Sequence, residues 1–170
     1  MLYHFETEQW IPVVIEEVFR FFANPDNLPR IMPPATDTRL LQVNLVPPAS
    51  GDTSMPTQGP VAGIGSEIVT SFRVMPYLPF RRQWTARIIE FEWNHFFADV
   101  QQEGPFKSFH HRHELSSEKR GAKQGTVIRD IIDYEIGFGF VDAIANVLIS
   151  RELRKAFAFR QGSLQQILLG

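Results

Sequence analysis

The chain has 170 residues, a formal net charge of −2 and no cysteine, with 44% apolar residues and fifteen phenylalanines. That length supports one domain over residues 1–170, with a core that needs neither disulfide nor metal to hold it. The near-zero charge excludes a basic field for nucleic acid, and the missing cysteines exclude a thiol nucleophile.

No basic leader precedes an apolar run, and no stretch approaches membrane-spanning length. The expectation is therefore a cytoplasmic protein without stable membrane insertion. Residues 2–10 alternate, with Tyr3, Phe5 and Thr7 opposite His4, Glu6 and Glu8. This predicts a first strand, ended at Ile11-Pro12 because proline has no N–H for a ladder. Val14, Val18, Phe19 and Phe22 recur at helical spacing, predicting a short amphipathic helix to about Ala23, although Val14 offers no capping side chain. Asn24-Pro25-Asp26-Asn27 reads as a turn, and the short helical piece after it must stop at Pro33-Pro34.

The period then drops to two. Strands are predicted over residues 39–46, 66–75, 80–91, 94–103, 106–116 and 125–136, with hairpin turns at Gly104-Pro105 and Lys119-Arg120-Gly121. Residues 46–65 are rich in Pro, Gly, Ser and Thr and are expected to be the most mobile part of the chain. Gly137 and Gly139 lead into the longest helical pattern, residues 140–168. Its apolar stripe drifts through Val141, Ala145, Leu148, Ile149, Leu153, Phe157, Leu164 and Leu168. This order predicts an α+β fold in which a curved antiparallel sheet of about seven strands grips the last helix. Two short helices follow the first strand, and a pocket is expected between sheet and helix.

Three successive strands carry polar groups in phase with large apolar ones: Phe97, Asp99 and Gln101; Phe109, His111 and His113; Asp130, Ile132 and Tyr134. A dry core resists such a face, since each buried polar group without a partner costs on the order of 1–3 kcal/mol. A solvent face would tolerate it, but a cavity wall explains the aromatic neighbours as well. Trp84 shares a face with Ala86 and Ile88, and Phe72 with Ile68 and Thr70, as further wall. The candidate ligand-binding set is thus Phe72, Trp84, Phe97, Asp99, Gln101, Phe109, His111, His113, Asp130 and Tyr134.

Within it, Gln101 and Tyr134 are neutral groups suited to orienting a carbonyl or hydroxyl. His111, His113 and Asp130 are the residues an acid/base reaction would use. No nucleophile or oxyanion motif accompanies them, so a hydrogen-bonded cluster is the favoured reading and no catalytic residue is assigned. Histidines two apart on a strand point the same way, but they fall short of a full ligand signature. No metal and no cofactor are assigned. Arg160, on the closing helix, is expected in a structural ion pair. The pair Arg81-Arg82 and the Lys119–Lys123 cluster are expected to be solvated.

The motifs Gln101-x-x-Gly104-Pro105-Phe106, Phe109-x-His111-x-His113 and Gly125-Thr126-x-x-x-Asp130-x-x-x-Tyr134 resemble the START-like (helix-grip) superfamily. Within it the chain is similar to bacterial polyketide cyclase/dehydrase or coenzyme-Q-binding-like proteins. Ile11-Pro12, Val18-Phe19, Asn27-Leu28, Pro33 and Phe157-x-x-Arg160 extend the resemblance over almost the whole chain. Members of that superfamily bind lipids, sterols, quinones, polyketides and plant hormones, and a few are enzymes. The resemblance implies a small hydrophobic or amphipathic ligand, such as a lipid, quinone or polyketide-like molecule, held between sheet and C-terminal helix. The alternative is a polyketide cyclase/dehydratase-type enzyme using Asp130 with His111 or His113. A third reading is a protein-interaction module with a vestigial pocket; the sequence names no protein partner.

Overall fold

In the computed structural model, residues 1–49, 59–73 and 80–170 are described. The strands are β1 (Leu2–Ile11), β2 (Arg39–Asn44), β3 (Glu67–Arg73), β4 (Arg81–Glu92), β5 (Phe96–Glu103), β6 (Ser108–Arg120) and β7 (Lys123–Glu135). Helix α1 (Ile15–Ala23) and two 3-10 turns (Pro25–Ile31 and Pro34–Thr36) lie between β1 and β2, and α2 (Asp142–Leu169) closes the chain.

The strands form one seven-stranded sheet in the order β1-β7-β6-β5-β4-β3-β2. Every pairing is antiparallel. The first strand therefore lies beside the last, and the α1 segment carries the chain from one sheet edge to the other. Register slips between Leu40 and Gln42 of β2, and at Thr85/Ala86 and Ile88/Glu90 of β4, add the local bends that let a sheet curve. The expected curved sheet with a long C-terminal helix is the fold observed.

Local chemistry accounts for the elements. The alternation of β1 turns Tyr3, Phe5 and Thr7 inward and leaves His4, Glu6 and Glu8 exposed. Helix α1 starts at Val14 without a side-chain cap, but Glu16 and Glu17 sit in the first turn, where a helix favours negative charge. It buries Val18, Phe19 and Phe21. The Asn24 side chain then accepts a bond from the Asp26 N–H at 3.0 Å and caps the following turn. Where the chain leaves β7, Gly137 adopts φ +92°, a left-handed conformation that disfavours side-chain-bearing residues. Asp142 opens α2 by accepting the Phe138 N–H at 2.6 Å.

The structure departs from the sequence reading at several points. The β6–β7 hairpin extends to Arg120 and Lys123, past the expected ends at residues 116 and 125. Its tip is exposed, so no apolar alternation marked it. Strand β2 stops at Asn44, because Val46 instead bonds the Ser66 hydroxyl through both its N–H (2.9 Å) and its carbonyl (3.1 Å). Residues 50–58 of the proline-rich segment lie outside the described residues, as do residues 74–79 at the end of the third expected strand. The far flank of that segment is tied down, with the Ala62 N–H on the Ala23 carbonyl and the Gly63 N–H on the Val46 carbonyl, both at 2.9 Å. Finally, Leu148 points to solvent at 62% exposure. It lies one residue off the line of Ala145, Ile149 and Leu153, a helical step of about 100°.

Two apolar clusters make the core. One joins α1 to the sheet and the end of α2 through Val18, Phe19, Phe97, Leu115, Ile128 and Leu164. The other joins β6 and β7 to the middle of α2 through Phe109, Ile132, Tyr134 and Phe157. Among the described residues, no helix is long and apolar enough to cross a membrane.

Candidate functional site

Antiparallel register builds the site. Phe97 pairs with His113 and Asp99 with His111 across β5–β6, while His113 pairs with Asp130 and His111 with Ile132 across β6–β7. Side chains on paired positions share a face, so Asp99, His111, His113 and Asp130 converge. Helix α2 supplies the fifth polar residue, Arg160, three residues after Phe157 and on the same helical face.

Asp130 is the hub. Its Oδ1 lies 3.0 Å from His111 Nε2, 2.6 Å from His113 Nδ1 and 3.6 Å from Arg160 Nη2. A carboxylate can only accept, so His111 donates from Nε2. His113 Nδ1 faces both this oxygen at 2.6 Å and Arg160 Nη2 at 3.3 Å; the carboxylate contact is the shorter, and an Nδ1 that donates to it takes no bond from the guanidinium. The expected ion pair of Arg160 is with this carboxylate. Its guanidinium also lies over the Phe22 ring at 4.6 Å and near Phe157 at 5.4 Å, and its buried Nε has no partner among the described residues. The His113 ring is stacked on Phe97, with centroids 4.3 Å apart, and lies 3.9 Å from the His111 ring.

These contacts separate the charge states. Burial alone would raise the Asp130 carboxyl, but the Arg160 guanidinium and the two imidazoles hold it well below the usual carboxylate range. Burial, then the neighbouring His111, pushes His113 down to about 3, so its ring is neutral. Asp99 differs. Burial raises its carboxyl, with His111 and Arg160 only partly offsetting that. Among the described residues nothing donates a hydrogen bond to it, and the ring nitrogen His113 Nε2 lies 3.9 Å from its Oδ1.

A cavity of about 360 Å³ opens over this face. Phe72, Trp84, Phe97, Asp99, Phe109, His111 and His113 of the expected set line it. Asp130 does not line it and lies against the lining residues His111, His113 and Arg160. Two expected residues are employed elsewhere. The Gln101 carboxamide clasps the next hairpin, donating to the Phe106 carbonyl at 2.7 Å and accepting the Phe106 N–H at 3.2 Å. A side chain at Gly104 would collide with that carboxamide, which explains the glycine in the motif. The Tyr134 hydroxyl donates to Asn146 Oδ1 of α2 at 2.6 Å, pinning the helix to the sheet.

The helical walls were not in the expected set: Phe22 of α1, Ile31, and Leu153, Phe157 and Arg160 of α2. Their apolar spacing marks an inward face, but a packed core gives the same pattern. Only Arg160 on that stripe signals something other than core.

Comparison with solved structures places the same fold in proteins of distant sequence. Major latex-like protein 151 from Panax ginseng is 14% identical, with 99% of each chain covered and a TM-score of 0.65. Norcoclaurine synthase from Thalictrum flavum, solved with dopamine and hydroxybenzaldehyde, is 14% identical, covering 99% of this chain and 87% of its own, with a TM-score of 0.63. The protein TTHA0849 from Thermus thermophilus is 14% identical over 98% of this chain and 97% of its own, with a TM-score of 0.60. None of the curated proteins compared with the sequence matches it. The sequence pattern of one family does match, over residues 11–159, in agreement with the sheet, the closing helix and the motif residues described above. The chain belongs to the polyketide cyclase/dehydrase and lipid transport family.

Proposed function

We propose that the protein binds a small hydrophobic or amphipathic molecule, of lipid, quinone or polyketide-like chemistry, in the cavity between the sheet and α2. One observation carries this reading: the cavity is walled by Phe22, Phe72, Trp84, Phe109 and Phe157 and also lined by the polar group Asp99, His111 and His113. Rings supply dispersion and area, and a few polar atoms among them orient a ligand. An open cavity also argues against a vestigial pocket. Native mass spectrometry of freshly purified protein, followed by displacement of a fluorescent fatty-acid probe, tests it. Saturable probe binding should be lost in Ala86→Trp, which fills the cavity from β4. Absence of any co-purified molecule together with probe binding unchanged in Ala86→Trp overturns the proposal.

The cyclase/dehydratase reading gains from one feature, the placement of Asp99 beside two imidazoles on the same cavity wall. In that reading Asp130 orients the imidazoles and Asp99 or a histidine moves the proton. Turnover of an aromatic polyketide-like substrate that disappears in Asp99→Asn while probe binding persists would favour it.

A further inference from the structure

We infer that Asp99, His111 and His113 bind one divalent first-row transition ion, of the zinc or ferrous class, at the cavity wall. This goes beyond ligand binding and does not depend on it. One nitrogen from each ring and one Asp99 oxygen lie within 4.8 Å of one another. Donors about 2.1 Å from a shared ion in tetrahedral array stand roughly 3.4 Å apart. His113 Nε2 and Asp99 Oδ1, at 3.9 Å, are already near that spacing. Closing the rest takes a small rotation of Asp99, which no hydrogen bond restrains among the described residues.

Asp130 is the second, independent observation. Histidines that ligate metals commonly donate their other ring N–H to a carboxylate, which sets the tautomer and the ring orientation. Here one carboxylate does this for both rings, receiving His111 Nε2–H and His113 Nδ1–H. The bare nitrogens are then His111 Nδ1 and His113 Nε2, the latter being the atom nearest Asp99. Packing completes the support, since Phe97 stacks on the His113 ring and Phe157 meets the His111 ring edge-on at 5.7 Å. Two imidazoles and a carboxylate suit zinc or ferrous iron better than magnesium or calcium, which prefer all-oxygen shells. All three donor residues line the cavity, so the remaining coordination positions face the space where a ligand would sit.

The test uses the full chain, freed of metal by a chelator and dialysed, then titrated with Co²⁺ alone by visible absorption and with Zn²⁺ alone by calorimetry. One equivalent per chain is expected, with d–d bands showing nitrogen and oxygen ligands and a rise in melting temperature. Asp99→Asn and His111→Ala should each weaken binding by about tenfold or more, and Asp130→Asn by roughly 10- to 100-fold through lost orientation. Should a histidine variant fail to fold, Asp99→Asn decides alone, because Asp99 anchors nothing. His4→Ala, removing an exposed histidine near Glu6 and Asp133, should leave the titration unchanged. No binding, or binding that survives Asp99→Asn or disappears in His4→Ala, overturns the inference. Cobalt binding without fatty-acid probe binding would leave the metal site standing and remove the cavity reading; the converse result would do the opposite.

Discussion

The two ends of the buried polar group have opposite character. At the α2 end Asp130 is enclosed, accepting from two imidazoles beside a guanidinium. At the cavity end Asp99 comes from the same sheet face yet receives no hydrogen bond among the described residues. Both are carboxyls on strands, separated by only two ladder pairings through His111 and His113. What differs is closure. Arg160 of helix α2 lies against one, while the other lines the cavity, so one carboxyl is saturated by its neighbours and the other receives no hydrogen bond among the described residues.

Substituting the enclosed end should give the largest effect. Asp130→Ala leaves the Arg160 guanidinium and two imidazole N–H groups buried without their acceptor, and about 3–5 kcal/mol of stability should be lost. Urea denaturation reads this directly; a wild-type midpoint would abolish the contrast between the two carboxyls.

Acid should produce the next effect, and its sign follows from the direction of each shift. His113 is held down to about 3 in the fold. The unfolded chain therefore takes up this proton first, and stability falls as pH drops from about 6.5 toward 3. Asp130 is depressed as well, so its contribution is present above the unfolded carboxylate value and is lost as pH falls through its lower folded one. Asp99 is raised and works against this loss just above pH 4, because the folded state takes up that proton more readily. Unfolding midpoints measured from pH 7 to pH 4 should decline in the wild type and decline less steeply in His113→Gln. A flat wild-type profile would mean that His113 is charged in the fold.

Tyr134→Phe sets a scale for a neutral bond on the same sheet face. Losing the donation to Asn146 should cost about 1 kcal/mol, measured by the same denaturation. Asp99→Asn should have the smallest effect, within about 0.5 kcal/mol of wild type, because no bond is broken and a half-buried charge is removed. A loss comparable to that of Asp130→Ala would show Asp99 to be structural and would sharpen attention on its 3.9 Å approach to His113.

Much of the site was legible from a two-residue period. The phase of Phe97 with Asp99, of Phe109 with His111 and His113, and of Asp130 with Ile132 is local information, and short turns between three consecutive strands bring those faces together. Gln101 has the same phase and was misplaced by it. At the end of β5 its carboxamide is near Phe106, whose N–H and carbonyl it satisfies, and periodicity carries no record of what a hairpin backbone lacks. Tyr134 has the right phase too, but its partner Asn146 arrives with α2, which period-two reading cannot position.

By itself the sequence determined the alternation, the glycine and proline punctuation and the change to a helical period after Gly137, and these select a sheet closed by a helix. The tertiary structure alone decided which carboxyl is saturated. That outcome depends on β1 pairing with β7 and on where α2 sets Arg160 above β6 and β7. Such distances arise from packing between elements far apart in the chain, and side-chain identity along one strand does not encode them.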